Sequence, residues 1–433
     1  MNAKLMASCL LLMGCFRPAS GQLRTDSLLQ KILAANSDVA FASILNNPAK
    51  YRLQIIYTMI DDAHPGNPEL RNYYFQVDPN LYFNPASTVK MPLAFLSLEK
   101  MRALKSNAVT RNTTMLFDSS APWQKSMYRD STSASGLPSL AQFIRRAFLI
   151  SENDPYNRMY QFVGQQQINR KLHAKGYPDV RITRQFLGLT LEQNRVTNAI
   201  RFQDNHGRTI YSQPPLTNND SFDFSRIAKL GKAYYGPHDS LINQPFDFTK
   251  HNALSLPDLQ RLLQSVIFPQ SVPAHSRFQL HADDYQFLYQ YLSQYPSETP
   301  YPKYDSSLFY DSYVKFFFRD SLHKKMPGHI RVFNKVGWAY GFLTDISYVA
   351  DFEHKLHYML AATIYVNEDE ILNDDKYEYE TVGHPFLHEL GQTIYQYELN
   401  RKRSGRPDFS RFRLRYEYRD PKDQRPSLKE VDN

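Results

Sequence analysis

The sequence predicts an α+β fold, an antiparallel sheet with terminal helices plus an all-helical domain, and three observations lead to it. Tyr51-Arg52-Leu53-Gln54-Ile55-Ile56-Tyr57-Thr58 is rich in aromatic and β-branched residues, the composition of a strand. Similar runs return near the other end of the chain, over residues 330–335, 344–350 and 356–366, joined by tight turns. Between these groups, from about residue 101 to 313, the pattern is mostly helical. Strands at both ends that share one sheet leave the middle to form a body of its own.

Residues 28–44 read as a first helix and 71–77 as a second strand, after the breaker His64-Pro65-Gly66-Asn67-Pro68. An apolar helix then starts near Ser87. Pro92 cannot donate and crowds the Thr88 carbonyl, so a kink is expected there. Helices over 140–150 and 156–163 flank Ser151-Glu152-Asn153, and 222–235 reads as another helix. Ser255 caps a helix with Pro257 in its first turn, residues 283–295 form the next, and 384–399 closes the fold. The sheet part thus covers about 28–85 and 325–400, the helical part about 86–324, and insertions are expected within 195–250.

A chain of 433 residues with 42% apolar content can bury a large core in one domain or two. The net charge of +8 is partly a tail effect, because 401–425 is dense in Arg and Lys between Pro, Ser and Asp; 401–433 is expected to be disordered. With no zinc-finger spacing and no RNA-binding signature, nucleic acid is not an expected partner. Met1-Asn2-Ala3-Lys4 and the apolar run that follows have the form of an export signal within 1–21. Leu12-Met13-Gly14-Cys15 resembles a bacterial lipobox, which implies a lipid anchor on Cys15 and a periplasmic, envelope-bound protein. Cleavage after Ala19-Ser20-Gly21, releasing a soluble form, is the competing reading. Cys9 lies inside the signal, so neither reading leaves a disulfide in the mature fold.

Chemistry concentrates at Ser87-Thr88-Val89-Lys90, where turn residues give way to helix. Three apart on a helix, the Ser87 hydroxyl and the Lys90 amine face the same way. A desolvated lysine can take the proton that makes a serine nucleophilic. The spacing also occurs at Ser97/Lys100, Ser312/Lys315 and Ser321/Lys324, where a capped amphipathic helix explains it. Downstream come Ser151-Glu152-Asn153, the one Ser-x-Asn of the chain, and Lys335-Val336-Gly337-Trp338, between two predicted strands. Ser and Asn at a helix junction can equally be plain caps. His384 and His388 are four apart on the closing helix but lack an evident third ligand, so surface histidines are expected rather than a metal site.

The order Ser-x-x-Lys, Ser-x-Asn, Lys-x-Gly resembles the penicillin-recognising serine hydrolases, class A β-lactamases above all, whose signature is S-x-x-K, S-D-N and K-T-G. Glu152 replaces the usual Asp, and Val336 the usual Thr or Ser. The resemblance runs over about 51–399 in element order and implies a β-lactamase/D,D-peptidase-like fold. It implies Ser87 as nucleophile, Lys90 as its base, Ser151 as proton relay, Asn153 orienting Lys90 and the substrate amide, and Lys335 as positive charge. It implies a substrate-binding stretch at Val336, Gly337 and Trp338, with an oxyanion hole from the N–H groups of Ser87 and Trp338. Glu192 is the candidate to activate a deacylating water, a solvated surface carboxylate being the alternative. The expected substrate is a β-lactam or a peptidoglycan-like amide or ester, handled by a monomer without metal or organic cofactor.

Overall fold

The computed structural model describes residues 23–63, 68–104, 108–323 and 325–431. The export signal, Cys15 and residues 64–67 of the expected breaker lie outside them. Two short helices, α1 (Ser27–Ala34) and α2 (Val39–Asn46), replace the single first helix expected. Asp38 caps α2 by accepting from the Phe41 N–H, which starts a second helix within the span of the one expected.

Strands β1 (Gln54–Asp61) and β2 (Glu69–Phe75) follow, then a 3-10 turn over Ala86–Val89 and α3 (Lys90–Ala103). The middle is not purely helical. Strand β3 (Thr114–Asp118) precedes α4 (Leu140–Leu149), α5 (Asn153–Val163) and α6 (Gln165–Ala174), and pairs with β4 (Ala199–Gln203), which pairs with β5 (Thr209–Gln213). The expected helix at 222–235 is instead extended chain carrying short strands β6 (Lys229–Leu230) and β7 (Ala233–Tyr235), followed by β8 (Leu241–Ile242) and β9 (Phe246–Asp247). Gly231, at φ 74°, interrupts the apolar spacing that suggested a helix. Helices α7 (Leu256–Ile267) and α8 (Ala282–Ser293) lead to β10 (Ile330–Ala339), β11 (Phe342–Asp351) and β12 (Leu356–Tyr365). A short β13 (Ile371–Leu372) and α9 (His384–Asn400) complete the order.

The main sheet runs β10-β11-β12-β1-β2, and the two ends of the chain join where Gln54 pairs with Thr363 and Met59 with Tyr358, antiparallel. Period-two alternation sends Ile56 and Phe333 toward the helical body, and Ile55, Tyr57, Val332 and Val336 toward α1 and α9. Both faces are therefore covered. Every residue of β11 and β12 is buried, which is why they read as unbroken apolar runs rather than alternating ones.

Beyond α9 the chain packs against the body, contrary to the disorder expected from its basic composition. Phe409 and Phe412 are buried in the inner core, and Glu417 pairs with Arg145. Arg419 donates to the carbonyls of Pro296 and Tyr304. Arginines spent on backbone carbonyls look like solvated charge in a sequence. Among the described residues, no helix is long and apolar enough to cross a membrane.

Candidate active site

Ser87 sits in the tight turn that starts α3. The Asn84 side chain accepts from the Ala86 N–H at 2.8 Å, and the Thr88 hydroxyl donates to the Pro85 carbonyl at 2.6 Å. Ala86 is held at φ 42°, a strained left-handed conformation for a residue with a Cβ. A 3-10 turn eclipses residues three apart, so Ser87 and Lys90 stack directly. The Lys90 Nζ lies 2.7 Å from the Ser87 Oγ. Pro92 falls in the first turn of α3, where no intrahelical hydrogen bond is lost; the expected kink is absorbed by the change from 3-10 to α.

Lys90 is fully buried and donates to the Ser151 carbonyl, to the Asn153 Oδ1 at 2.8 Å and, more distantly, to the Ser151 Oγ at 3.4 Å. Burial, then the neighbouring Lys335 charge, hold its pKa well below that of an ordinary lysine, against a smaller opposite pull from Glu152. A lone pair is thereby available beside the Ser87 hydroxyl.

Ser151 adopts φ 72°, which turns its carbonyl toward Lys90. Asn153 opens α5. Between them Glu152 points inward, accepting from Arg146 Nε at 2.8 Å and from the Tyr304 hydroxyl at 2.6 Å. Glu152 is thus a buried structural anchor for the strained Ser151.

On the other side runs β10. Lys335 Nζ donates to the Ser151 Oγ and to the Val336 carbonyl, each at 2.8 Å, and burial lowers its pKa well below the usual value. Gly337 is required by contact: a Cβ there would lie 2.6 Å from the Pro85 carbonyl and 3.0 Å from the Ser87 nitrogen. Val336 was expected in the substrate-binding stretch, but its side chain is fully buried in the outer core, because strand alternation turns it away from the cleft. Trp338 lines the cleft and meets Tyr313 and Phe316 edge-on.

Ser87, Ser151, Asn153 and Trp338 border one cleft of about 420 Å³. Its other walls come from residues that sequence reasoning did not single out, chiefly Arg184, Gln185, Phe186, His251 and Tyr340. They carry no motif, and the two segments are brought together by the Arg181–Ala253 bridge and by the hydrogen bonds of 183–184 to Asn252. Glu192 is not among the lining residues. Its side chain is 82% exposed and pairs with Arg195 at 3.4 Å, which corrects its assignment to the site. Among the described residues, no Asp or Glu lines the cleft.

Of the two closing-helix histidines, His388 is half-buried, whereas His384 is not a surface group: it is buried edge-on against Phe316, and burial with the Arg319 charge lowers its pKa to about 2. The one group with metal-ligand spacing among the described residues is His329, Asp351 and His354, at the far end of the sheet. Asp351 already accepts from the His354 ring and the Tyr395 hydroxyl.

Residues 55–212 match the model of the β-lactamase enzyme family. Among solved structures the chain is similar to a β-lactamase from Desulfarculus baarsii DSM 2075, at 14% identity over 82% of this chain and 96% of that one, TM-score 0.43. It is similar to a class A β-lactamase from Mycobacterium abscessus at 12% identity, over 83% and 99% of the two chains, TM-score 0.43. A β-lactamase from Burkholderia ambifaria gives 13% identity, 84% and 99% coverage, and a TM-score of 0.45. A search of curated proteins gives no match.

Proposed function

We propose that this chain, whose residues 55–212 match the model of the β-lactamase enzyme family, opens β-lactam rings through an acyl-enzyme on Ser87. The observation that carries the reading is the contact of the buried Lys90 amine with the Ser87 hydroxyl at 2.7 Å. As the Ser87 Oγ attacks the carbonyl carbon, Lys90 takes its proton. The carbon–nitrogen bond then breaks, and the proton passes from Lys90 through the Ser151 hydroxyl to the leaving nitrogen. Lys335, donating to the Ser151 Oγ, holds that relay in place. Asn153 keeps the Lys90 amine aimed at Ser87. The N–H groups of Ser87 and Trp338 serve as the oxyanion hole, and the close approach of Gly337 to the Ser87 turn supports this.

The second reading, a D,D-peptidase or esterase with the same acylation, is favoured by one observation: no described carboxylate lines the cleft to activate a deacylating water. Either enzyme would work in the cell envelope, anchored through Cys15 if the lipobox is used. A catalytically silent envelope-binding protein is the reading from another class.

Intact mass after mixing with benzylpenicillin separates the three. A transient adduct that returns to free protein as penicillin is consumed supports the β-lactamase. An adduct that persists supports the peptidase or esterase. No adduct at any time rejects both enzymes.

A further inference from the structure

The cleft has an uneven charge. Among the described residues that line it, Arg184 is the one permanent cation, and none is a carboxylate. Lys90 and Lys335 are buried behind the surface and hydrogen-bonded to Ser151, and neither appears in the lining.

Arg184 is also held without being neutralised. One guanidinium nitrogen, Nη1, lies 2.8 Å from the His251 Nε2. A guanidinium has no lone pair to give, so His251 accepts this bond and carries its own proton on Nδ1. Burial and the Arg184 charge keep the ring neutral, lowering its pKa to about 3. Among the described residues, no carboxylate stands within ion-pair distance of Arg184. Asp247, the acidic group near His251, accepts from the Thr249 N–H at 2.8 Å instead.

Pinning the loop does not explain the side chain. The Arg184 backbone N–H donates to the Asn252 Oδ1 at 3.1 Å, and its carbonyl accepts from the Tyr156 hydroxyl at 2.7 Å, so the main chain is fixed without the guanidinium. The surroundings are aromatic: His251 meets Phe248 and Tyr340 edge-on. Such walls strengthen the pull of an unpaired cation on an anion.

Its position relative to Ser87 follows from β10. Lys335 and Ala339, the last residue of β10, are about 13 Å apart along the extended strand at ~3.3 Å per residue, and Tyr340 follows in the turn beyond it. Arg184 and His251 gather at the Tyr340 end, while Lys335 and Ser151 occupy the other.

Resting on the reading of Ser87 as an acylated serine, we propose that Arg184, braced by His251, is an anion-binding subsite, and that the preferred substrates carry a carboxylate at the end of the molecule remote from Lys335.

Benzylpenicillin and carbenicillin share one nucleus and differ by a carboxylate on the acyl side chain, so their ratio of second-order acylation rates on the full chain isolates the subsite. A charge-assisted hydrogen bond predicts a preference for carbenicillin of roughly ten- to a hundred-fold. The ratio should fall to about one in Arg184→Gln and be partly kept in Arg184→Lys. A wild-type ratio near one, or a preference that survives Arg184→Gln, overturns the subsite. If neither penicillin labels the protein, the acyl-enzyme reading fails by itself, and calorimetric titration of the same two compounds decides the subsite. Tighter binding of carbenicillin by wild type, lost in Arg184→Gln, supports it; equal binding by wild type overturns it.

Discussion

Gly337 lies against Ser87 so closely that one added carbon on the glycine would stand 3.0 Å from the serine's backbone nitrogen. The sheet edge and the nucleophile turn are therefore in direct backbone contact, and the glycine of Lys-x-Gly is a demand of packing. Gly337→Ala should push β10 and the Ser87 turn apart. Overpacking of this kind costs about 1–3 kcal/mol, and a displacement near 1 Å at a reacting group costs roughly a hundred-fold in rate. Denaturant melts and acylation kinetics on the same variant check both parts.

Lys335 depresses the Lys90 pKa by like-charge repulsion, second in importance to burial. Acylation requires neutral Lys90, so the rate should rise as pH rises through that pKa. Lys335→Ala removes the repulsion and raises the Lys90 pKa. The acidic limb of the single-turnover rate should then move to higher pH. An unmoved limb would leave Lys335 only its contact with Ser151.

Lys90 also links stability to pH. Its folded pKa is below the unfolded value of about 10.4, so in the interval between them the unfolded chain binds a proton that the native state does not. Its contribution to stability therefore rises with pH until the unfolded value is passed. Lys90→Met should flatten the change in urea midpoint between about pH 7 and about pH 9 relative to wild type.

The Glu152–Arg146 pair is buried, with side-chain exposures of 2% and 10%, and Glu152 adjoins the strained Ser151. Glu152→Ala leaves the buried guanidinium only its longer contact with Asp130, at 3.4 Å, and should cost about 3 kcal/mol in chemical denaturation. It should also slow acylation, because Ser151 loses its anchor.

Much of the fold was legible in the sequence. The strand composition at both ends, the sheet that unites them and the closing helix all follow from local pattern, and the three motifs bring Ser87, Lys90, Ser151, Asn153 and Lys335 into one hydrogen-bonded cluster. What escaped was set by tertiary context. The short strands at 229–247 and the three-stranded sheet inside the helical body depend on long-range pairing. The far wall of the cleft rests on Asn252 reaching across to 183–184, a contact between segments with no shared periodicity. Glu192 was drawn in by its place in the chain order, whereas its side chain lies in solvent beside Arg195. The tail has the composition of a disordered segment because its anchors, Phe409 and Phe412, are sparse among charges. Phe412→Ala should accordingly cost about 3–5 kcal/mol, as for a buried core aromatic, where a disordered tail would show no loss in a melt.

The central claim is that Ser87 becomes acylated. Peptide mapping of the full-length protein after brief exposure to benzylpenicillin tests it most directly. The account predicts a penicilloyl mass increment confined to the peptide that contains Ser87, and absent from Ser87→Ala. An increment on any other residue, or one that survives in Ser87→Ala, would contradict it.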